Sequence, residues 1–321
     1  MRRDPAFAPD RHILITGGAG YIGSRLARRL TLEGALAITV LDNLRRGSID
    51  ALNGHATIRF VEGDVRDADT LDELMRGDGL SGSVDTVFHL GAESAVMAAA
   101  ADPEYCFETN VTGTFRVLQA ARSNGVRRVV FTSSREIYGD PVTLPVAESA
   151  PLSPKNVYGA SKAAAEMCCR AFICEGPEIG IVRLSNVYGP GDKERVIPRF
   201  VDSAILGRPL VIFGGEQVLD FVWIETVLDS LVRVAFGPHQ PEALNIGSGR
   251  GVTIVELCER IIRASNSSSK VLLADPRESE VVRFVADVSA ANKAIGLLAP
   301  ADPLFGLDEV IAAVREPVLA I

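Results

Sequence analysis

Tyr158 and Lys162 stand four residues apart in "YGASK". On a helix that spacing puts both side chains on one face. A free tyrosine titrates near ~10 and is a poor base at neutral pH. A nearby ammonium favours the phenolate and is expected to lower that value. Ser134 ends the apolar run "VRRVVFTSS". That is the C-terminal end of a predicted parallel strand, where open α/β sheets gather their sites. A serine, a tyrosine and a lysine together suit removal of a proton from an alcohol. Directly after Ser134 come Arg135 and Glu136, a fixed cation beside a carboxylate. Arginine does not give up its proton, so Arg135 cannot act as an acid, but its planar fork suits a carboxylate. Neighbours on a strand face opposite sides. One of the two is therefore expected to face a substrate and the other to sit in an ion pair elsewhere.

A second set of residues suits a phosphate. "LITGGAGYIGS" follows a predicted strand and opens a predicted helix. Gly17, Gly20 and Gly23 permit a tight turn and bring backbone N–H groups to a pyrophosphate at the helix N-terminus. Asp42 follows at the end of the next strand, where a carboxylate accepts ribose hydroxyls and repels a 2′-phosphate. This predicts dinucleotide binding, NAD rather than NADP. Arg45 and Arg46 argue the other way, because a guanidinium can hold a 2′-phosphate. Asp64 and Val65 in "GDVRD" are placed to flank an adenine.

These residues need a scaffold, and the chain supplies one. Apolar runs at 12–16, 37–42, 56–64, 84–92, 126–134 and 180–186 alternate with helical patterns. One long helix is expected over 104–124, with Gly125 just past its end. Continuous Val/Ile/Leu runs between helices predict a Rossmann-type α/β fold, a doubly wound parallel sheet. After residue 186 the pattern loosens into shorter strands and single helices such as 253–265. We expect a dinucleotide-binding domain over 1–185 and a smaller substrate domain over 186–321, with about 220–250 returning to the main sheet.

The 321 residues are 47% hydrophobic and 23% charged, ample for a large core. A net charge of −8 with no basic block argues against nucleic acid and anionic membranes as partners. No apolar stretch near the N-terminus suits an export signal, and none is long enough to span a membrane. The five cysteines lack zinc-ligand spacing, so no metal is expected. They predict free thiols in a reducing cytoplasm.

In order and spacing, "TGGAGYIGS", "LDNL", "GDVRD", "HLGAES", "TSSREIYG", "YGASK" and "RLSNVYGPGD" resemble the extended short-chain dehydrogenase/reductases, nearest to the NAD-dependent nucleotide-sugar epimerase/dehydratase branch. The resemblance covers about residues 12–300. It implies that Ser134, Tyr158 and Lys162 are catalytic. Tyr158 would take a sugar hydroxyl proton, aided by a cationic nicotinamide ring, and Lys162 would bind the nicotinamide ribose. It also implies NAD contacts at Gly17, Gly20, Tyr21, Ile22, Gly23, Asp42, Asn43, Asp64, Val65, Leu90 and Ala92, and at Asn110, which supports the site helix. Asn186, Val196, Ile197 and Arg277 match nucleotide-sugar contacts. A UDP-sugar substrate and a homodimer joined through the helices near 104–124 and 156–175 are further implications.

The activity implied is 4-epimerisation. In the family's dehydratases an acid–base pair of carboxylates follows the hydroxyl residue; here Arg135 replaces the acid, while Glu136 keeps the base. Glu136 leaves decarboxylation or keto-sugar reduction open, and Arg135 suits a uronate. Two departures stand out: Leu219 replaces an arginine that helps bind diphosphate, and Gly91 replaces the usual alanine.

Overall fold

The computed structural model describes residues 11–54, 57–77, 82–174, 176–238, 243–277 and 280–318. The N-terminal stretch read above for an export signal lies largely outside these residues, as does Ala56 at the start of the third predicted strand. Strands β1 (His12–Thr16), β2 (Ala37–Asp42), β3 (Ile58–Glu62), β4 (Thr86–His89), β5 (Arg128–Ser134) and β6 (Glu178–Leu184) alternate with helices. The helices are α1 (Tyr21–Glu33), α2 (Ala68–Arg76), α3 (Val96–Ala101), α4 (Pro103–Phe107), α5 (Gly113–Ser123) and α6 (Val157–Phe172). The later elements are β7 (Asn186–Tyr188), α7 (Val196–Ile205), β8 (Leu210–Phe213), β9 (Val218–Trp223), α8 (Ile224–Phe236) and β10 (Leu244–Ile246). After them come β11 (Gly251–Thr253), α9 (Ile254–Ala264), β12 (Val271–Ala274), α10 (Ser289–Ile295) and α11 (Leu307–Val318).

The main sheet has seven parallel strands in the order β10-β6-β5-β4-β1-β2-β3. From β1 the chain winds one way to β3, then crosses to β4 and winds the other way. The reversal leaves a crevice between β1 and β4, at their C-terminal ends. Every strand but the edge strand β3 buries both faces, so alternate residues feed two cores. Ile13, Ile15, Val40, Phe88 and Val130 pack in the same core as Leu26, Leu30 and Leu231 from α1 and α8. Leu14, Leu41, Val87, Val129 and Phe131 pack in the other with Leu71, Val117 and Ala165 from α2, α5 and α6.

Strand β10 pairs with β6, so residues 244–246 lie in the main sheet. The chain leaves that sheet after Leu184, and Asn186 starts a separate three-stranded sheet, β11-β9-β7. The predicted strand 180–186 is thus two strands. Buried Asp220 knits this region: its carboxylate accepts from Ser248 N and Oγ, Gly249 N and Ala286 N.

The expected long helix 104–124 is interrupted. A π-turn spans Glu108–Thr112, and the Gly113 N–H bonds five residues back to the Glu108 carbonyl. Such a turn inserts an extra residue and re-aims a side chain. Here that side chain is Asn110, which is 1% exposed. Its Oδ1 accepts the Glu93 N–H at 2.8 Å, and its Nδ2 donates to the Glu93 carbonyl and to Ser161 Oγ, both at 2.9 Å. Helix periodicity does not foresee this, because the break is set by partners on β4's loop and α6.

Candidate active site

The glycine turn is closed by the strands around it. A methyl group at Gly17 would come 2.6 Å from Gly91 N, and one at Gly23 would meet the Gly17 carbonyl oxygen. Gly91, the departure noted above, follows from the same crowding: a methyl there would lie 3.1 Å from Val65 Cγ1 and 3.2 Å from Thr16 Oγ1. Asp42 braces the turn, accepting the Ala19 N–H at 3.0 Å and the Leu44 N–H at 2.9 Å. Burial raises its carboxyl, and those two N–H groups oppose the rise. Asn43 donates to Asp64 at 2.9 Å and to the Tyr105 hydroxyl at 3.0 Å. Burial would raise Asp64, but hydrogen bonds from Arg66 and Asn43 hold it below the usual range. Val65 is buried, and Leu90 and Ala92 line the end of β4 across from the turn.

Arg45 and Arg46 have carboxylate partners of their own. Arg45 pairs with Asp102 at 3.2 Å and lies 3.7 Å over the Tyr105 ring. Arg46 binds Glu93 at 3.2 Å, Ser94 Oγ at 2.8 Å and Glu194. Both guanidiniums already have carboxylate partners, which weakens the argument for a 2′-phosphate.

Tyr158 and Lys162 share the inner face of α6. Asn156 starts that helix by accepting the Gly159 N–H at 2.8 Å, and a methyl at Gly159 would strike the Glu136 carbonyl oxygen. The helix therefore packs directly on the turn after β5, which brings Ser134 close enough to Tyr158 to favour its phenolate. Lys162 Nζ donates to the Thr132 carbonyl at 2.9 Å and lies 4.9 Å from the Phe131 ring centre. Burial lowers its pKa to about 8. The lowering of Tyr158 expected from an ammonium and a nicotinamide cation together is not supplied by the protein's own charges. Burial pushes it up to about 12, against the effect of Ser134, with Glu136 adding to the rise and Arg195 opposing it.

Behind Lys162 is a closed polar chain. Thr114 Oγ1 donates to the Asn110 carbonyl at 2.6 Å, so it accepts from His89 Nε2 at 2.9 Å. Thr16 Oγ1 then donates to His89 Nδ1 at 2.7 Å and accepts the Gly91 N–H. His89 is a buried neutral Nε2–H tautomer, its pKa lowered to about 3 by burial and by Lys162.

Arg135 and Glu136 do not alternate as on a strand. They lie in a 3-10 turn, Arg135–Tyr138, capped by Ser134. Their side chains meet: Arg135 Nη2 is 2.9 Å from Glu136 Oε1. The other Glu136 oxygen accepts Asn156 Nδ2 at 2.8 Å. Arg135 Nη1 is buried without a partner. They form their ion pair with each other, not with separate partners as the strand reading required.

The predicted substrate contacts are spread over the second half. Asn186 Nδ2 donates to the Asp220 carbonyl at 3.0 Å. Val196 and Ile197 form the first turn of α7; Ile197 is 1% exposed and belongs to the core, so what it can offer a ligand is its backbone. Arg277 lies 3.7 Å over the Phe213 ring and pairs with Glu280 at 2.8 Å. Tyr21 turns its ring away from the glycine turn toward Gly189, and its hydroxyl is buried without a partner. Ile22 packs against the core and Gly20 caps α1.

Sequence reasoning missed Asn156, Asp192, Glu194 and Arg195. Asn156 had a signal, an N-cap residue two positions before the tyrosine. The other three become visible only when loop 189–195 is folded against the glycine turn.

A glycine turn at the switch point of a parallel sheet, with a buried serine, tyrosine and lysine beside it, defines an enzyme that oxidises an alcohol with a bound dinucleotide. The chain belongs to the NAD dependent epimerase/dehydratase family, whose model matches residues 13–247. A UDP-glucose 4-epimerase from Azospirillum brasilense is 30% identical over 322 residues, covering 94% of this chain and 90% of that protein. A dTDP-glucose 4,6-dehydratase from Streptomyces venezuelae, solved with NAD bound, superposes with a TM-score of 0.89 at 33% identity, covering 95% of this chain and 97% of that one. A UDP-glucose 4-epimerase from Thermotoga maritima, solved with UDP-glucose, also gives 0.89, at 27% identity, covering 96% and 99%. NAD is the cofactor, and the turn, Asp42 and the paired Arg45 and Arg46 fit it. Among the described residues, no helix is long and apolar enough to cross a membrane.

Proposed function

We infer that this chain is a nucleotide-sugar 4-epimerase acting on a UDP-sugar. The observation that carries this is the state of Glu136. Dehydration or decarboxylation would need a free carboxylate beside the hydroxyl residue. Here one oxygen of Glu136 is paired with Arg135 and the other holds Asn156. What stays available is Ser134, Tyr158 and Lys162, and epimerisation needs no more. Tyr158 takes the proton of the C4 hydroxyl, Ser134 holds the same oxygen, and the Lys162 ammonium stabilises the phenolate. Bound NAD would supply hydride exchange at C4; the 4-keto sugar turns its other face between the two transfers, and Tyr158 returns the proton to the C4 oxygen. Because burial holds Tyr158 near 12 in the free protein, the positive charge brought by the cofactor is what makes it a working base.

Residues 1–185 serve as the dinucleotide half and 186–321 as the substrate half, with β10 contributing to the main sheet. Asn186, the backbone of Val196 and Ile197, and Arg277 contact the nucleotide sugar. Exposed Phe107, Phe115 and Met167 on α4, α5 and α6 support a homodimer packed through those helices. Five free cysteines support a reducing cytoplasm.

The test is proton NMR and mass spectrometry of product from UDP-glucose, UDP-N-acetylglucosamine and UDP-glucuronate, without added reductant. An isomer of unchanged mass is expected. Loss of carbon dioxide would make Glu136 the mechanistic base, and loss of water would overturn the reading of Arg135.

A further inference from the structure

Arg45, Arg46 and Arg66 follow strands β2 and β3 at the edge of the crevice, and they are not held alike. Arg46 has Glu93, Glu194 and the Ser94 hydroxyl. Arg66 grips Asp64 with two nitrogens, at 2.9 and 3.0 Å, and reaches Glu108 at 3.1 Å. Among the described residues Arg45 has one carboxylate contact, Asp102 Oδ2 at 3.2 Å, between side chains 45% and 46% exposed. A pair that exposed holds weakly. Arg45 also lines a cavity of about 530 Å³ with Arg46, Glu93 and Ser94. It follows Asp42 by three residues, a place from which a guanidinium left to itself can turn to a ribose 2′-phosphate.

Tyr105 supplies the missing hold. The Arg45 guanidinium lies 3.7 Å over the centre of its ring, and the Arg66 guanidinium lies 4.9 Å from the same centre. Two cations share one aromatic ring, each attracted by its π-electrons. The Tyr105 hydroxyl accepts Asn43 Nδ2 at 3.0 Å, and Asn43 Oδ1 accepts the Arg45 N–H at 3.1 Å. Arg45 is therefore drawn to α4 through its side chain and, by way of Asn43, through its backbone. Tyr105 is fixed in turn, because Asp102 Oδ1 accepts its N–H at 3.2 Å. Asp42 stays at the end of β2, braced by the Ala19 and Leu44 N–H groups. The end of β2 thus presents a carboxylate while its loosely paired cation is turned to α4.

We propose that Tyr105 is a coenzyme-selectivity residue: by holding Arg45 against α4 it denies a 2′-phosphate its cation and keeps the site on NAD. It acts through Arg45 and is a positioning residue. The proposal rests on the cofactor and not on the sugar chemistry.

The test sets NAD against NADP. The full chain and its Tyr105→Leu, Tyr105→Phe, Asp102→Asn and Tyr105→Leu/Arg45→Ala variants would be equilibrated with equal concentrations of the two. Bound dinucleotide would be released by denaturation and quantified by chromatography. Wild type is expected to hold NAD in large excess. Tyr105→Leu keeps apolar bulk and removes the aromatic face, and its bound NADP-to-NAD ratio should rise about fivefold or more. Tyr105→Phe keeps the ring and should stay within about twofold of wild type. Asp102→Asn keeps the helix cap and removes the other restraint, so its ratio should rise by less than that of Tyr105→Leu. Removing Arg45 together with Tyr105 should return the ratio to the wild-type value, which a merely structural role for Tyr105 would not produce. An unchanged ratio in Tyr105→Leu overturns the proposal. So does a rise that persists without Arg45, and so does a wild type that takes NADP as readily as NAD. If Tyr105→Leu binds neither dinucleotide, an unchanged ratio in Asp102→Asn overturns it. All of these results leave the epimerase reading standing.

Discussion

Loops 17–23 and 189–197 share a plan: each follows a strand, carries glycines and opens a helix, α1 or α7. They are built by different forces. The first is held by backbone shape. Gly17, Gly18 and Gly23 sit where a methyl group would crowd Gly91, Val40 and the turn itself. The second is held by side chains: Asp192 with Arg195, Arg25 with Pro190, and Arg46 with Glu194. Tyr21 from the first loop reaches into the second, so that a methyl at Gly189 would lie 2.7 Å from its hydroxyl. Shape acts at contact distance and ignores salt, whereas charge acts further and is screened. The comparison teaches that loop 17–23 is held chiefly by backbone shape and loop 189–197 chiefly by charge.

The largest effect is expected at Tyr158. Tyr158→Phe should lower kcat by about 10³, within the range for a lost general base, while bound NAD stays at wild-type content. Lost NAD would show that the tyrosine is needed for the cradle. Next, Gly23→Ala attacks shape alone. It should weaken NAD binding by about a hundredfold, and overpacking should lower stability by about 1–3 kcal/mol, read from bound NAD and from Tm. A variant that keeps NAD would break the comparison at its shape-built end.

Rising pH should then act through Lys162. Its ammonium is lost as pH passes about 8, and the phenolate loses its counter-charge, so kcat/KM should fall above that value. A rate that keeps climbing to pH 10, as deprotonation of Tyr158 alone would give, would place Lys162 outside the step. The smallest effect is the salt response. Raising ionic strength from about 0.05 M to 0.5 M should raise KM for the nucleotide sugar a few-fold and leave NAD content unchanged. Equal sensitivity in both would erase the distinction between the loops.

Much of the first half was legible because its signals are local. Alternation of apolar runs and helices, the glycines of 17–23 and the Tyr158–Lys162 spacing each depend on residues close in sequence. The failures share a cause in long-range contact. The helix over 104–124 breaks because Asn110 finds Glu93 and Ser161 across the fold. Arg135 and Glu136 meet because the chain turns after Ser134, and Asn156 on α6 then takes the second oxygen. Tyr158 rises to about 12 because burial outweighs neighbouring charge, and burial belongs to the packed molecule.

The sequence by itself determined the parallel sheet, the glycine turn and the placing of Tyr158 and Lys162 on one helix face, since these follow from backbone freedom, periodicity and spacing. The tertiary structure decided what is left for a ligand to bind. It paired Glu136 with Arg135 and Asn156, gave Arg45 and Arg46 carboxylate partners, and left Arg135 Nη1 buried without one. Which charges are already satisfied depends on partners far apart in the chain, and only folding brings those together.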